Sequence, residues 1–309
     1  MTRPHAPGRV CGDNGVAARA ATPRPSAIAT LSAMPESQSI ARPPAAQVAG
    51  TAAFSKFMHV LQVVADTPEP MTVAELSKVS GYPRPTVYRT VAALVAERLL
   101  AEHPGSGKLT LGPRLIQLAS RSWGRSEMRL AAVEDLKHLR DATGETVHLA
   151  VPNGPHMVYI EKLESPSVVQ MNSRIGTNVY MHSTAVGKAY LAMLDEDALR
   201  AALDQLPLPY ARHTPNTVKD EADLRRQLDL VRERGWAADE EENEAGIHCF
   251  GAPIFGANGM PVAAISVSTL RFRQKPDPDA AYVAPLLAAC RAITQRIAGS
   301  PMLAARDVL

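Results

Sequence analysis

The sequence predicts a multidomain chain with two folded parts of different class, a small α-helical one followed by a larger α+β one. Three observations carry that prediction. Its 309 residues suffice for about two domains, and a hydrophobic content of 46% supports real cores. Apolar residues recur at helical spacing from Phe54 to Leu94, whereas beyond Gly144 short β-rich runs alternate with helical stretches. Charge divides in the same way: residues 51–125 carry a net +4 and residues 126–309 a net −5, within a total of +2. A basic front suits a polyanion, and an acidic back points to a separate task.

The first 50 residues are dominated by Ala, Pro, Ser, Arg and Gly, with five Arg against Asp13 and Glu36. Without apolar periodicity they bury too little surface to offset ordering entropy, so a disordered tail is expected over 1–50, with Met34 a candidate true start. An Arg- and Ala-rich, acid-poor beginning also fits an organellar transit peptide, the alternative reading. No apolar run approaches the roughly 18 residues of a membrane span, and no apolar h-region marks a secretory signal. Cys11, Cys249 and Cys290 form neither a fully paired disulfide framework nor the short paired spacings of a zinc site. A reducing, cytoplasmic setting is expected, with no metal and no cofactor.

Order is expected to begin at "FSKFMHVLQVVAD", where Phe54, Phe57, Met58, Leu61, Val64 and Ala65 recur at spacings of three and four. Thr72 and Glu75 in "TVAEL" have the spacing of a capping box, opening a short helix that buries Leu76 and Val79 and stops at Gly81. A third helix begins near Pro83 to Pro85, because prolines are tolerated before and within a first turn. Val87, Val91, Leu94 and Val95 form its buried stripe, which leaves Arg84, Thr86, Tyr88, Arg89 and Ala92 facing outward. "LLAEHPGSGKLTLG" reads as two strands around a Pro-Gly-Ser-Gly turn, with Lys108 beside it. Three helices and a β-hairpin in this order make a winged helix-turn-helix over 51–113.

A linker helix is expected over 114–126 and another helix up to Gly144. The remainder, 127–300, reads as strands in "ETVHLAV", "HMVYIEKLE", "SVVQMNSRIG", "IHCFGAPIF" and "PVAAISVSTL", with helices in "STAVGKAYLAML", in "EADLRRQLDLVRERG" and from Asp279 to Ile297. Antiparallel hairpins interrupted by helices indicate an α+β domain whose mainly antiparallel sheet is covered mainly on one side.

In a helix-turn-helix the second helix of the unit enters the major groove with its N-terminal residues facing base edges. The outward set suits that use. Arg84 and Arg89 donate to guanine or phosphate, Thr86 bonds either or touches a thymine methyl, Tyr88 reaches a phosphate oxygen, and Lys108 faces the backbone. Double-stranded DNA is therefore the expected partner of the first part, and a protein-binding winged helix with solvated arginines is the alternative. One winged helix buries little DNA surface, so a homodimer on a roughly palindromic operator is expected.

Several blocks, in order and at their spacing, resemble the IclR family of transcriptional regulators: "AELSKVSGYPRPTVYRTVAALVAERLL", "KLTLGPRLIQLA", "GETVHLAV", "MHSTAVGKAYLA", "EENEAGIHCFGAPIF" and "AAISVS". The likeness runs over about residues 52–298. One departure is Pro85, where such proteins often carry serine, and with it a phosphate contact is lost.

The resemblance implies a GAF-like domain that binds a small organic acid, and a dimer of dimers. Read on their own, Ser183 or Thr184 suits a helix cap that leaves amides near Ala185, Val186 and Gly187 facing an anion. Ser266 and Ser268 share one face of a strand. The family likeness assigns Ala185, Val186, Asp239, Ile247, Cys249, Ser266 and Ser268 to the effector pocket, with Val168 and Met171 as apolar wall. Asp239 is compatible with an anionic ligand only by accepting a ligand hydroxyl or by being protonated, which favours a phenolic or hydroxy acid. The bland alternatives are serines bonded to neighbouring backbone and Cys249 as a small buried hydrophobe. His182 and His248 read as structural. Activity as an enzyme is not expected: Cys249 with His248 as base fails because strand neighbours point to opposite faces, and His182 is the remaining base. A DNA-binding protein that responds to no ligand is the other rival.

Overall fold

The computed structural model describes residues 50–124 and 126–299. The expectations for the tail, for Met34 and for Cys11 lie outside those residues.

The first part runs α1 (Ala52–Asp66), β1 (Met71–Thr72), α2 (Val73–Val79), α3 (Arg84–Ala96), β2 (Leu100–Glu102) and β3 (Lys108–Leu111). Val60, Leu61, Val64, Leu76, Val87, Val91, Leu94, Leu100 and Leu109 form one core. The capping box is present: Thr72 N–H donates to Glu75 at 2.7 Å and Glu75 N–H donates to Thr72 Oγ1 at 3.3 Å. Gly81, at φ 71°, takes the left-handed conformation that ends α2.

Two helical stripes differ from expectation. In α1, Val60 is buried and Met58, Phe54 and Ala65 are exposed, because the helix meets α3 and β3 along Phe57, Val60, Leu61 and Val64. In α2, Val73 takes the buried place assigned to Val79, which is exposed at the last residue of the helix. Val95 of α3 is only half-buried, while Thr90 is buried. Strand β1 was not expected. It is two residues long, is joined directly to the cap of α2, and completes a sheet of order β1-β3-β2.

Next come α4 (Pro113–Gly124) and α5 (Glu127–Thr143), the latter capped by Ser126 and ended by Gly144 at φ 75°. The rest comprises β4 (Thr146–Asn153), β5 (His156–Leu163), β6 (Asn178–Tyr180), α6 (Ala185–Ala192), α7 (Glu196–Leu203), α8 (Glu221–Arg234), β7 (Ala237–Glu240), β8 (Ile247–Phe255), β9 (Pro261–Leu270) and α9 (Ala284–Ala298). These strands form one antiparallel sheet of order β6-β5-β4-β9-β8-β7.

Three expectations are corrected here. "SVVQMNSRIG" is irregular rather than a strand, and β6, just after it, pairs with β5. Helix α7 was not expected. The sheet is covered on both faces: α5 and α9 pack on Val147, Leu149, Phe250, Ile265 and Val267, while α6, α7 and α8 share a second core with Ala150, Met157, Ala237 and Ala264. The hydroxyls of Ser266 and Ser268 give β9 an alternation that mimics a solvated face, yet both residues are buried under the second layer.

Candidate nucleic-acid interface and effector site

Pro83 precedes α3 without a side-chain cap, and its carbonyl accepts from the amides of Thr86 (2.8 Å) and Val87 (3.1 Å). Pro85 has no amide, so among the described residues the Arg84 amide is the remaining unpaired donor of that first turn, and most anion contacts there fall to side chains. Arg84, Tyr88 and Arg89 are exposed, and Thr86 is half-buried. The Arg84 guanidinium donates to Tyr88 Oη at 3.3 Å and lies 5.5 Å from that ring's centre, which holds the two polar tips together on one helix face. Lys108 opens β3 opposite Thr72 and is exposed. Of the five residues singled out in the sequence for this interface, Arg84, Tyr88, Arg89 and Lys108 are exposed and Thr86 is half-buried.

The second constellation is buried. Across the sheet, Thr146, Ser268, Cys249 and Asp239 lie in one row, and His148, Ser266, Gly251 and Ala237 in the next, on the same face. Helix α6 lands on that face. A Cβ on Gly251 would stand 2.5 Å from the carbonyl of Ala185, so only glycine admits the helix start there.

Thr184 caps α6 by accepting from Gly187 N–H, leaving the amides of Ala185 and Val186 outside the cap bond. Both of those residues are buried. Beneath them Ser266 is 2% exposed, and among the described residues none hydrogen-bonds its hydroxyl. Ile247 lies on the same face at the end of β8 and is half-buried, like Cys249.

Burial pushes the Asp239 carboxyl up to about 7, with Lys188 pulling it down. One Asp239 oxygen accepts from Glu242 N–H at 2.8 Å and Asn243 N–H at 3.2 Å, so half of this carboxylate holds the loop beside the site. Burial, and then Asp239, raises the Cys249 thiol well above its ordinary value, which makes it a poor nucleophile. Met171 reaches the site's edge through its carbonyl, an acceptor for Lys162 Nζ at 2.7 Å. Val168 is not brought in: it is 100% exposed, because the segment bearing it is an arch outside the sheet.

His182 is buried, stacks on Tyr210 at 4.8 Å and shares a hydrogen bond with the Ala211 carbonyl at 3.0 Å, a structural histidine. His248 lies in the adjacent row with Glu240 and Thr269, on the face opposite Cys249, and its Nδ1 meets Gln274.

Sequence reading missed several neighbours of this site. His148 and Tyr159, stacked at 4.4 Å, stand on the serine face, and the Tyr159 hydroxyl has no hydrogen-bond partner among the described residues. Lys188 is buried in α6, bonded to Gln227 and Glu242. An isolated glycine inside the β8 run was a legible sign of close approach, whereas nothing local marks His148.

A winged helix with a polar, exposed recognition helix, followed by a sheet domain that buries a donor-rich site, is the build of a DNA-binding transcriptional regulator. Comparison with known proteins agrees. Residues 54–104 match the IclR helix-turn-helix domain, and residues 122–295 match the C-terminal domain of bacterial IclR transcriptional regulators. The HTH-type transcriptional regulator KdgR of Dickeya chrysanthemi is 32% identical over 242 residues, 78% of each chain.

Among solved structures, the Thermotoga maritima IclR is 31% identical with a TM-score of 0.63, covering 79% of this chain and 98% of that one. An IclR homologue from Microbacterium hydrocarbonoxydans, complexed with 4-hydroxybenzoate, shares the fold at 24% identity and a TM-score of 0.68, over 81% of this chain and 100% of that one. The chain belongs to the IclR family of transcriptional regulators.

Proposed function

We propose that this regulator binds a roughly palindromic operator and that a small organic acid, bound between α6 and the serine face, modulates its operator binding or promoter activity. The observation that supports this most is Ser266, 2% exposed, whose hydroxyl has no protein partner among the described residues and stands on the strand face under the start of a helix. A hydroxyl that no protein group bonds is free to bond a ligand oxygen. Amides at a helix start favour an anion, and the site adds only uncharged donors, since Lys162 and Lys188 are each bonded to protein acceptors.

A homodimer or dimer of dimers fits the exposed Phe54, Ile116 and Leu118 on α1 and α4, apolar side chains that a second copy would cover. No helix among the described residues is long and apolar enough to cross a membrane. We place the protein's work in the cytoplasm, where its DNA partner is.

The experiment is a gel shift on the DNA upstream of its own reading frame, at stated salt, with a panel of aliphatic and aromatic acids that includes 4-hydroxybenzoate. The expected result is specific retardation altered by one acid class, with Ser266→Ala raising the concentration needed while leaving ligand-free retardation intact. Retardation that no acid alters would favour a regulator that responds to no ligand.

A further inference from the structure

The segment between β5 and β6 is an arch with its ends tied down and its crown free. At one end Ser165 Oγ donates to the Gly144 carbonyl at 2.7 Å, and its amide donates to Thr146 Oγ1 at 3.2 Å. At the other end Lys162 Nζ donates to the carbonyls of Met171 and Ser173, each at 2.7 Å, and pairs with Glu164. Between them Val168, Val169 and Gln170 are exposed.

His148 joins this arch to the floor of the candidate site. His148 Nε2 is hydrogen-bonded to Ser173 Oγ at 2.7 Å, and its Nδ1 lies 3.4 Å from Ser268 Oγ. The ring itself is held by stacking on Tyr159.

We propose that His148 is a positioning residue that couples the serine floor of the site to the arch 166–175 through the two nitrogens of one ring. The inference rests on the effector reading only for what loads the floor; the coupling itself is a property of the ligand-free chain. Burial pushes the imidazole down to about 3, so it carries one proton at working pH. A neutral imidazole donates from one nitrogen and accepts at the other. When Ser268 donates to Nδ1, Nε2–H donates to Ser173. When Ser268 turns its hydrogen to a ligand oxygen, Nδ1 loses its donor while the ring keeps its proton on Nε2, and only the bond to Ser173 still holds the ring's polar edge. Occupancy of the floor thus loosens the ring whose other nitrogen holds the arch, more than one side chain away from any ligand contact.

The test is amide hydrogen exchange on the full-length protein, read over residues 166–175. Ser268→Ala does not touch the arch, yet it is expected to speed exchange there by about fivefold to tenfold, the loss of one net hydrogen bond. Ser266→Ala, two residues along the same strand and without a bond to His148, is expected to leave the arch unchanged. In a His148→Gln background the effect of Ser268→Ala is expected to vanish.

Equal exchange in Ser268→Ala and the parent chain, or an undiminished Ser268→Ala effect in the His148→Gln background, would overturn the proposal. Circular dichroism of His148→Gln, expected to match the parent, separates lost coupling from lost folding. Failure of every acid in the gel shift alongside a coupled arch would sink the effector reading and leave the relay standing.

Discussion

The winged helix and the sheet domain place their polar side chains in opposite ways. Arg84, Tyr88, Arg89 and Lys108 stand in solvent around a small apolar core. Ser266, Ser268, Asp239, His148, Lys188 and Glu242 are all buried between a sheet and its second helical layer. The exposed set costs nothing to keep without a partner, because water satisfies it. The buried set must be paired by protein or by something that enters, and it is therefore costly to disturb. Variants should reveal this difference: in the exposed set they change DNA binding and leave stability alone, while in the buried set they change stability first.

The largest effect is expected at Lys188. It is 1% exposed on its side chain and faces Glu242, whose other oxygen is buried without a partner among the described residues. Lys188→Met strands that carboxylate and should cost about 3–5 kcal/mol in urea denaturation. The double variant with Glu242→Gln should recover part of it. A loss below 1 kcal/mol would mean the pair is solvated and the contrast between the two regions is weaker than drawn.

Next comes a pH effect. Burial lowers His182 to about 4, so its folded state stays neutral while the unfolded chain takes up a proton near 6.5. Its contribution to stability is fully present above about 6.5 and is lost as pH falls from there toward 4. Asp239, raised to about 7, works with the opposite sign: its contribution falls as pH rises from about 4 to 7. A variant isolates the histidine. The stability difference between the parent chain and His182→Phe should narrow by about 2 kcal/mol from pH 7 to pH 5. A constant difference would show that His182 titrates normally.

Arg89→Ala should weaken operator binding by about 1–3 kcal/mol if this residue reads a base edge. Being exposed, it should leave the melting temperature where it was. Unchanged operator affinity would mean that α3 docks with another face. The smallest effect is expected at Thr72, where Thr72→Ala removes the cap of α2 at a cost of about 1 kcal/mol, read as a lower denaturation midpoint for the winged helix alone.

The two regions also differ in how much of them could be read in advance. The interface residues of α3 and the wing lie on one helix and one hairpin, so period and caps placed them. The effector set came from serine alternation, a helix start and family likeness, and Val168 lies exposed on the arch because an apolar run without a pairing partner in register is no strand. Phe54 and Met58 misled for a related reason: helical period marks an apolar face but not how far a neighbour covers it.

Local chemistry in the chain determined the capping box at Thr72 and Glu75, the stops at Gly81 and Gly144, the outward set of α3, and the strand face shared by Ser266 and Ser268, since each depends on contacts a few residues apart. Tertiary structure alone decided that the sheet is covered twice, that Gly251 lies under Ala185, and that His148 stands between Ser268 and Ser173. Those contacts join residues up to 120 positions apart, and cross-strand register and layer packing, which no local pattern encodes, bring them together.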